Sequence, residues 1–164
     1  MAAHRLNHPH SRVLITGMSG TGKTTVLNEL SRRGHTTLDT DYDGWTLPDG
    51  RWDELRMSLL LSAETRIVVS GTAENQGTFY DRFEFVVLLS APVETLLDRV
   101  RTRAGNPYGK SQSDQDAIRR HVIEVEPLLR AGADVELDAR RPVNDLADEI
   151  EALLLSSRPT SATP

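Results

Sequence analysis

Residues 17 to 24 read Gly17-Met18-Ser19-Gly20-Thr21-Gly22-Lys23-Thr24, the pattern G-x-x-x-x-G-K-[ST]. The apolar run Val13-Leu14-Ile15 precedes it, and residues 25–33 follow with helical periodicity. The stretch therefore joins a strand to a helix, the context that gives the pattern physical meaning. Glycines open conformations closed to other residues and let backbone N–H groups approach phosphate oxygens. The following helix adds the positive end of its dipole. Gly17, Ser19, Gly20, Thr21, Gly22, Lys23, Thr24 and Thr25 are the candidate phosphate contacts. Lys23 can reach β- and γ-phosphates, and the Thr24 hydroxyl can ligate Mg²⁺. The stretch implies a bound nucleoside triphosphate.

The chain has 164 residues, with 38% hydrophobic and 26% charged, which suits one soluble domain with a sizeable core. A net charge of −5 gives no basic face for nucleic acid. Cysteine is absent, which excludes disulfides and thiolate metal sites. No apolar run is long enough for a membrane span, and the default expectation is cytoplasmic. Residues 1–11, with His4, His8 and His10, read as a flexible tail, the alternative for the histidines being a metal site. Residues 156–164 read as a disordered tail. Between them, residues 12–155 form the expected domain.

Strands are expected at 12–16, 35–39, 66–70, 83–89 and 134–138. Helices are expected at 23–33, 52–64, 92–103 with Ser90 as cap, 113–129 and 142–155, with a polar loop at 104–113. Alternating strands and helices call for an α/β fold, a parallel sheet sandwiched by helices with right-handed crossovers. Ligands of such sheets bind at the carboxyl ends of the strands.

Candidate chemistry collects at that edge. Asp39 and Asp41 stand two apart where the second strand ends, so both can face the phosphate loop, with Cα atoms roughly 7 Å apart. Phosphoryl transfer uses one carboxylate toward Mg²⁺ and another near the attacking hydroxyl. Asp39 suits the first role and Asp41 the second; the alternative is an acidic turn, which is the reading for Asp43. Glu74, Asn75 and Gln76 can contact a substrate or form ordinary surface. Arg99 and Arg103 share a helix face at i,i+4. A nucleotide between them would offset their repulsion; the alternative is attraction to the helix C-terminus. Lys110 in the loop is a further phosphate contact to consider. Trp45 and Trp52 fit either substrate lining or core, and Arg51 and Arg56 either an anionic substrate or solvent.

The ordered set Gly17 to Thr24, Asp39-x-Asp41, Gly71, Leu88-Leu89-Ser90-Ala91-Pro92 and Arg99-x-x-x-Arg103 resembles the small P-loop kinases, the adenylate kinase and shikimate kinase group. This group lies within the P-loop NTPase superfamily, where an AAA-domain description also falls. The resemblance implies a five-stranded parallel sheet in the order 2-3-1-4-5, with 104–113 as a short lid. It implies ATP and Mg²⁺, an adenine-stacking role for Arg99, Arg103 aimed at the transferring group, and Arg141 in a loop bordering adenine. Lys23, Asp41, Arg99 and Arg103 would be catalytic, and Thr24 and Asp39 would hold the metal. Two motifs depart from shikimate kinases. Gly71-Thr72-Ala73 replaces a Gly-Gly-Gly run, and Leu55-Arg56-Met57-Ser58-Leu59 lacks the Glu of Phe-Arg-x-x-Glu. The expectation is Mg²⁺-dependent phosphoryl transfer from ATP to a small-molecule hydroxyl or phosphate, by a monomer or weak homodimer. The alternative is a nucleotide-binding regulatory protein.

Overall fold

The computed structural model describes residues 11–156. The tail expectations, and with them His4, His8 and His10, lie outside the described residues, except that Ser11 opens the first strand and Ser156 ends the last helix.

Five parallel strands, β1 (Ser11–Thr16), β2 (Thr37–Asp39), β3 (Arg66–Ser70), β4 (Phe85–Ser90) and β5 (Val135–Asp138), form one sheet in the order β2-β3-β1-β4-β5, as the resemblance implied. Six helices flank it: α1 (Lys23–Arg32), α2 (Glu54–Ala63), α3 (Val93–Thr102), α4 (Gln112–Glu124), α5 (Glu126–Gly132) and α6 (Val143–Leu155). β1 is buried along its whole length because it pairs with β3 on one side and β4 on the other. Alternation along it feeds two cores. Val13 and Ile15 pack with Val26, Leu30, Leu146 and Ile150 of α1 and α6. Leu14, on the opposite face, packs with Trp52, Met57, Leu61 and Phe79. No described helix is long and apolar enough to cross a membrane.

Strand order reverses at β1, so the connections from β1 and β3 leave the sheet in opposite directions and open a crevice at their carboxyl ends. Gly17 to Gly22 begin there. Gly20 holds φ at 89°, and a Cβ added to it would stand 2.8 Å from the Leu96 carbonyl oxygen of α3. Conformation and space both demand glycine. Gly20→Ala should therefore lower stability by about 1–3 kcal/mol, read from the denaturant midpoint at unchanged m-value.

The structure departs from the expected elements in four places. The helix expected at 113–129 is two helices, because Val125 ends α4 and Pro127 sits in the first turn of α5. Residues Gln76–Arg82, read as the end of a loop and a connection, form a 3-10 helix that buries Phe79. Trp52 lies outside α2, fully buried, and Asp53 caps that helix by accepting the Arg56 N–H. Ser90 does not cap α3; its hydroxyl donates to Glu136.

Candidate active site

Residues 17–22 form a loop tied to itself and to its neighbours. The Thr21 hydroxyl donates to the Met18 carbonyl at 2.9 Å. Thr72, after β3, donates its hydroxyl to the Gly17 carbonyl at 2.8 Å. Gly22 precedes α1 with no side-chain cap, and the first turn of α1 carries no acidic residue. The helix N-terminus is thus left to an external anion. The Lys23 ammonium donates to the carbonyls of Gly17 at 2.6 Å and Met18 at 3.2 Å. Burial pushes its pKa down to about 8, against the pull of Asp41 and Asp39, and Arg103 adds to the lowering. A lysine short of counter-charge is poised to gain it from phosphate.

Asp39 and Asp41 both turn toward this loop. The Thr24 hydroxyl donates to Asp39 Oδ2 at 2.8 Å, and Asp39 Oδ1 accepts the Asp41 backbone N–H at 3.0 Å. Thr24 and Asp39 therefore present adjacent hard oxygens beside the phosphate loop, a donor set that fits Mg²⁺. Asp41 has its pKa raised, by desolvation first and by the Asp39 charge second, while Lys23 opposes the shift. A carboxylate raised in this way holds a proton more readily and suits general-base work. Asp43 has φ 59° and belongs to the turn, as its sequence position suggested.

Beside the loop lies a cavity of about 690 Å³. Gly17, Met18, Ser19 and Lys23 form its phosphate side, and Asp41 enters from the β2 end. The far wall comes from Tyr80 of the 3-10 helix, Tyr108 of the loop between α3 and α4, and His121, Val125, Leu128 and Leu129 around the α4–α5 junction. A buried polar chain fixes its floor: Gln76 donates to the hydroxyls of Thr16 at 3.2 Å and Tyr80 at 2.8 Å, and accepts the Ala73 N–H. Burial thus commits the Gln76 amide to the protein rather than to a ligand. Glu74 lines the cavity and is exposed. Asn75 does not line it; its amide pairs both ways with the Trp52 backbone at 2.8 and 3.0 Å.

Arg99 braces the loop from α3, donating to the carbonyls of Gly20 at 3.3 Å, Thr21 at 3.5 Å and Ala139 at 2.8 Å. It thereby ties the segment after β5 to the phosphate loop. Arg103 ends α3 and donates through Nη2 to the Tyr108 carbonyl at 2.8 Å, while its buried Nε has no partner among the described residues. The two arginines share a helix face without repelling closely, because each spends its charge on carbonyls. Arg141 turns its guanidinium to Glu149 of α6 at 3.3 Å. Its side chain is thereby directed along α6, while the backbone of its loop stays beside Arg99. Lys110 donates to the carbonyls of Arg101 and Arg103, capping the α3 C-terminus.

Other sequence candidates serve the scaffold. Arg56 stacks over Trp45, 4.0 Å from its ring centroid, and donates to the Asp43 carbonyl, while Arg51 pairs with Glu54. His35 bonds Glu151. Among the described residues no cluster of three metal-ligating side chains occurs. No sequence motif marks Tyr80, Tyr108, His121, Val125 or Leu128 as lining residues. Only Pro127, which breaks the helix and turns α5, signalled that wall.

Residues 13–120 match the AAA domain family. The chain is 31% identical over 163 residues to a shikimate kinase of Rhodopseudomonas palustris, covering 87% of this chain and 80% of that protein. It is 31% identical over 148 residues to a nucleotide-binding protein of Myxococcus xanthus, covering 84% of this chain and 45% of that longer protein. The fold superposes on a shikimate kinase from Acinetobacter baumannii solved with shikimate, with TM-score 0.68, 22% identity, and 90% and 94% of the two chains covered.

Proposed function

The chain belongs to the shikimate kinase-like group of small P-loop kinases, and from its site we propose that it transfers the γ-phosphoryl group of ATP to a hydroxyl of a small molecule. The observation that carries this reading is that Lys23 of the phosphate loop and Asp41 line one cavity. A protein that only binds a nucleotide needs no carboxylate across a cavity from its phosphate loop.

In the proposed step the acceptor oxygen forms a bond to the γ-phosphorus as the bond from that phosphorus to the β-γ bridging oxygen breaks. ADP leaves with the electron pair, and Asp41 takes the proton of the acceptor hydroxyl. Lys23, Arg103 and the backbone N–H groups of Ser19 to Thr25 offset charge on the phosphate oxygens. Arg99 keeps the loop and the segment after β5 in register, with adenine expected beside it. Thr24 and Asp39 would hold Mg²⁺, which would supply neutralisation of phosphate charge. The lid around Tyr108, closing over this cavity, would exclude water and suppress hydrolysis.

The test is ATP turnover by the purified chain against a panel of small alcohols, with phosphorylated product identified by mass spectrometry. Turnover indifferent to every alcohol would overturn transfer. It would favour a second reading, a nucleotide-controlled interaction protein, which draws on the name of the Myxococcus relative.

Lys23 yields a separate expectation. Its pKa of about 8 in the free protein should rise when phosphate oxygens replace carbonyls around it. Binding of ATP should then take up a proton, and affinity should fall as pH rises through about 8. Calorimetry between pH 7.5 and 9 in buffers of different ionisation enthalpy should show that uptake, and Lys23→Met should abolish it. Proton uptake unchanged in the variant would place the titration elsewhere.

A further inference from the structure

The acceptor wall of the cavity is apolar or acidic. Beyond the phosphate side it presents the rings of Tyr80 and Tyr108, the side chains of Val125, Leu128 and Leu129, and the carboxylates of Asp41 and Glu74. Among the described residues no arginine lines it, and its one ammonium, Lys23, belongs to the phosphate loop. Arg120 and Arg130, next in sequence to His121 and Leu129, do not line it, and Arg130 is paired with Glu126 and Glu136; three further guanidinium groups are engaged elsewhere. Arg56 lies over Trp45, Arg51 is paired with Glu54, and Arg82 donates to Ser58 and Ser62. Arg103 does not line it; it donates to the Tyr108 carbonyl, and its charge is felt by Lys23. Two other side-chain nitrogen donors line it, the His121 imidazole and the Gln76 amide, the latter committed to Thr16 and Tyr80.

A carboxylate-bearing acceptor buried in such a cavity would face two carboxylates with no guanidinium to pair with. A hydroxylated ring, by contrast, meets groups suited to each of its faces. Apolar C–H surface can lie on Tyr80, Tyr108 and Leu128, and hydroxyls can bond Asp41, Glu74 and His121. We propose that the acceptor is an uncharged polyhydroxylated ring compound, with its reacting hydroxyl at Asp41 and its apolar face on the α4–α5 junction. This rests on the kinase reading for the phosphorylated product but not for the binding preference. The phosphoryl step is the one written above, with the same bond formed, the same bond broken and the proton on Asp41.

The test pairs hydroxylated ring acids, shikimate among them, with their own primary amides, and adds myo-inositol and adenosine as neutral members. Binding is read by saturation-transfer NMR on the full chain with Mg²⁺ and a non-hydrolysable ATP analogue. Neutral members should bind at least about tenfold better than their acids. Leu128→Arg places a guanidinium on an exposed wall position (Leu128 is 70% exposed), so the variant should fold and shift the preference toward the acids. Acids that bind native protein as well as their amides would overturn the proposal, as would the absence of any neutral binder or an unchanged preference in Leu128→Arg. Turnover of the same panel with ATP separates the two readings. The expected binding preference without any phosphorylated product supports the acceptor class and sinks transfer. Product formed preferentially from acids sinks the acceptor class and leaves transfer standing.

Discussion

Asp41→Asn is expected to lower kcat about 10²- to 10³-fold while the Kd for ATP changes less than about threefold. The amide keeps the size of the side chain and loses only the capacity to take a proton. Asp41 lines the cavity beside Lys23 but makes no side-chain hydrogen bond to the phosphate loop, so nucleotide binding should be indifferent to the change. Its pKa is raised by desolvation and by Asp39, so the active, deprotonated form is lost at higher pH than for an ordinary carboxylate. The rate should accordingly fall as pH falls through that raised value, and this acidic limb should vanish in the Asn variant. Steady-state rates from pH 4.5 to 8, with ATP affinity measured separately, check both parts. A variant that keeps its acidic limb would move the base role to another group. The magnitude is bounded because phosphoryl transfer has a loose transition state, in which the acceptor proton departs late and positioning dominates.

What the amino-acid sequence disclosed follows the range of each signal. Val13-Leu14-Ile15 and the glycine loop lie within twelve residues of one another, and local rules for strands, turns and helix starts act over that distance. Alternating elements with handed crossovers gave the parallel sheet, while its order came only from the resemblance to small P-loop kinases. Period two in the second strand pointed Asp39 toward the phosphate loop, whereas Asp41 lies in the turn just past β2 and reaches the cavity from there. The acceptor wall had no comparable signature. Tyr80, Tyr108, His121 and Leu128 come from four separate segments, and no spacing along the chain relates them. Arg56 shows the opposite failure. The sequence left it between an anionic substrate and solvent, and Trp45, eleven positions earlier, competes for the guanidinium by stacking. The helix expected at 113–129 ran over Val125 because apolar periodicity persists across a break that only Pro127 marks.

Arg103→Ala is expected to have the larger effect, a fall in kcat of about 10³-fold or more, with ATP affinity reduced less than about tenfold. Three features of Arg103 support this. It closes α3 at the point where the lid begins, so its position depends on a rigid helix rather than on the loop. Its Nη2 is held by the Tyr108 carbonyl, which fixes the guanidinium plane. Its Nε is buried without a hydrogen-bond acceptor, a cost the fold sustains in the free state and an anion would relieve. The field of Arg103 already depresses Lys23, so the two cations converge on one place and both gain when negative charge arrives there. That gain is greatest as charge spreads over the transferring group, which is why kcat should suffer more than binding. Arg103→Lys keeps a positive charge but supplies no planar fork to bridge Tyr108 and an anion, so it should recover less than a tenth of the lost rate. Single-turnover rates at saturating ATP for the Ala and Lys variants check the point. Full recovery with lysine would reduce Arg103 to a point charge, and an unaltered rate in Ala would make it a helix cap and nothing more.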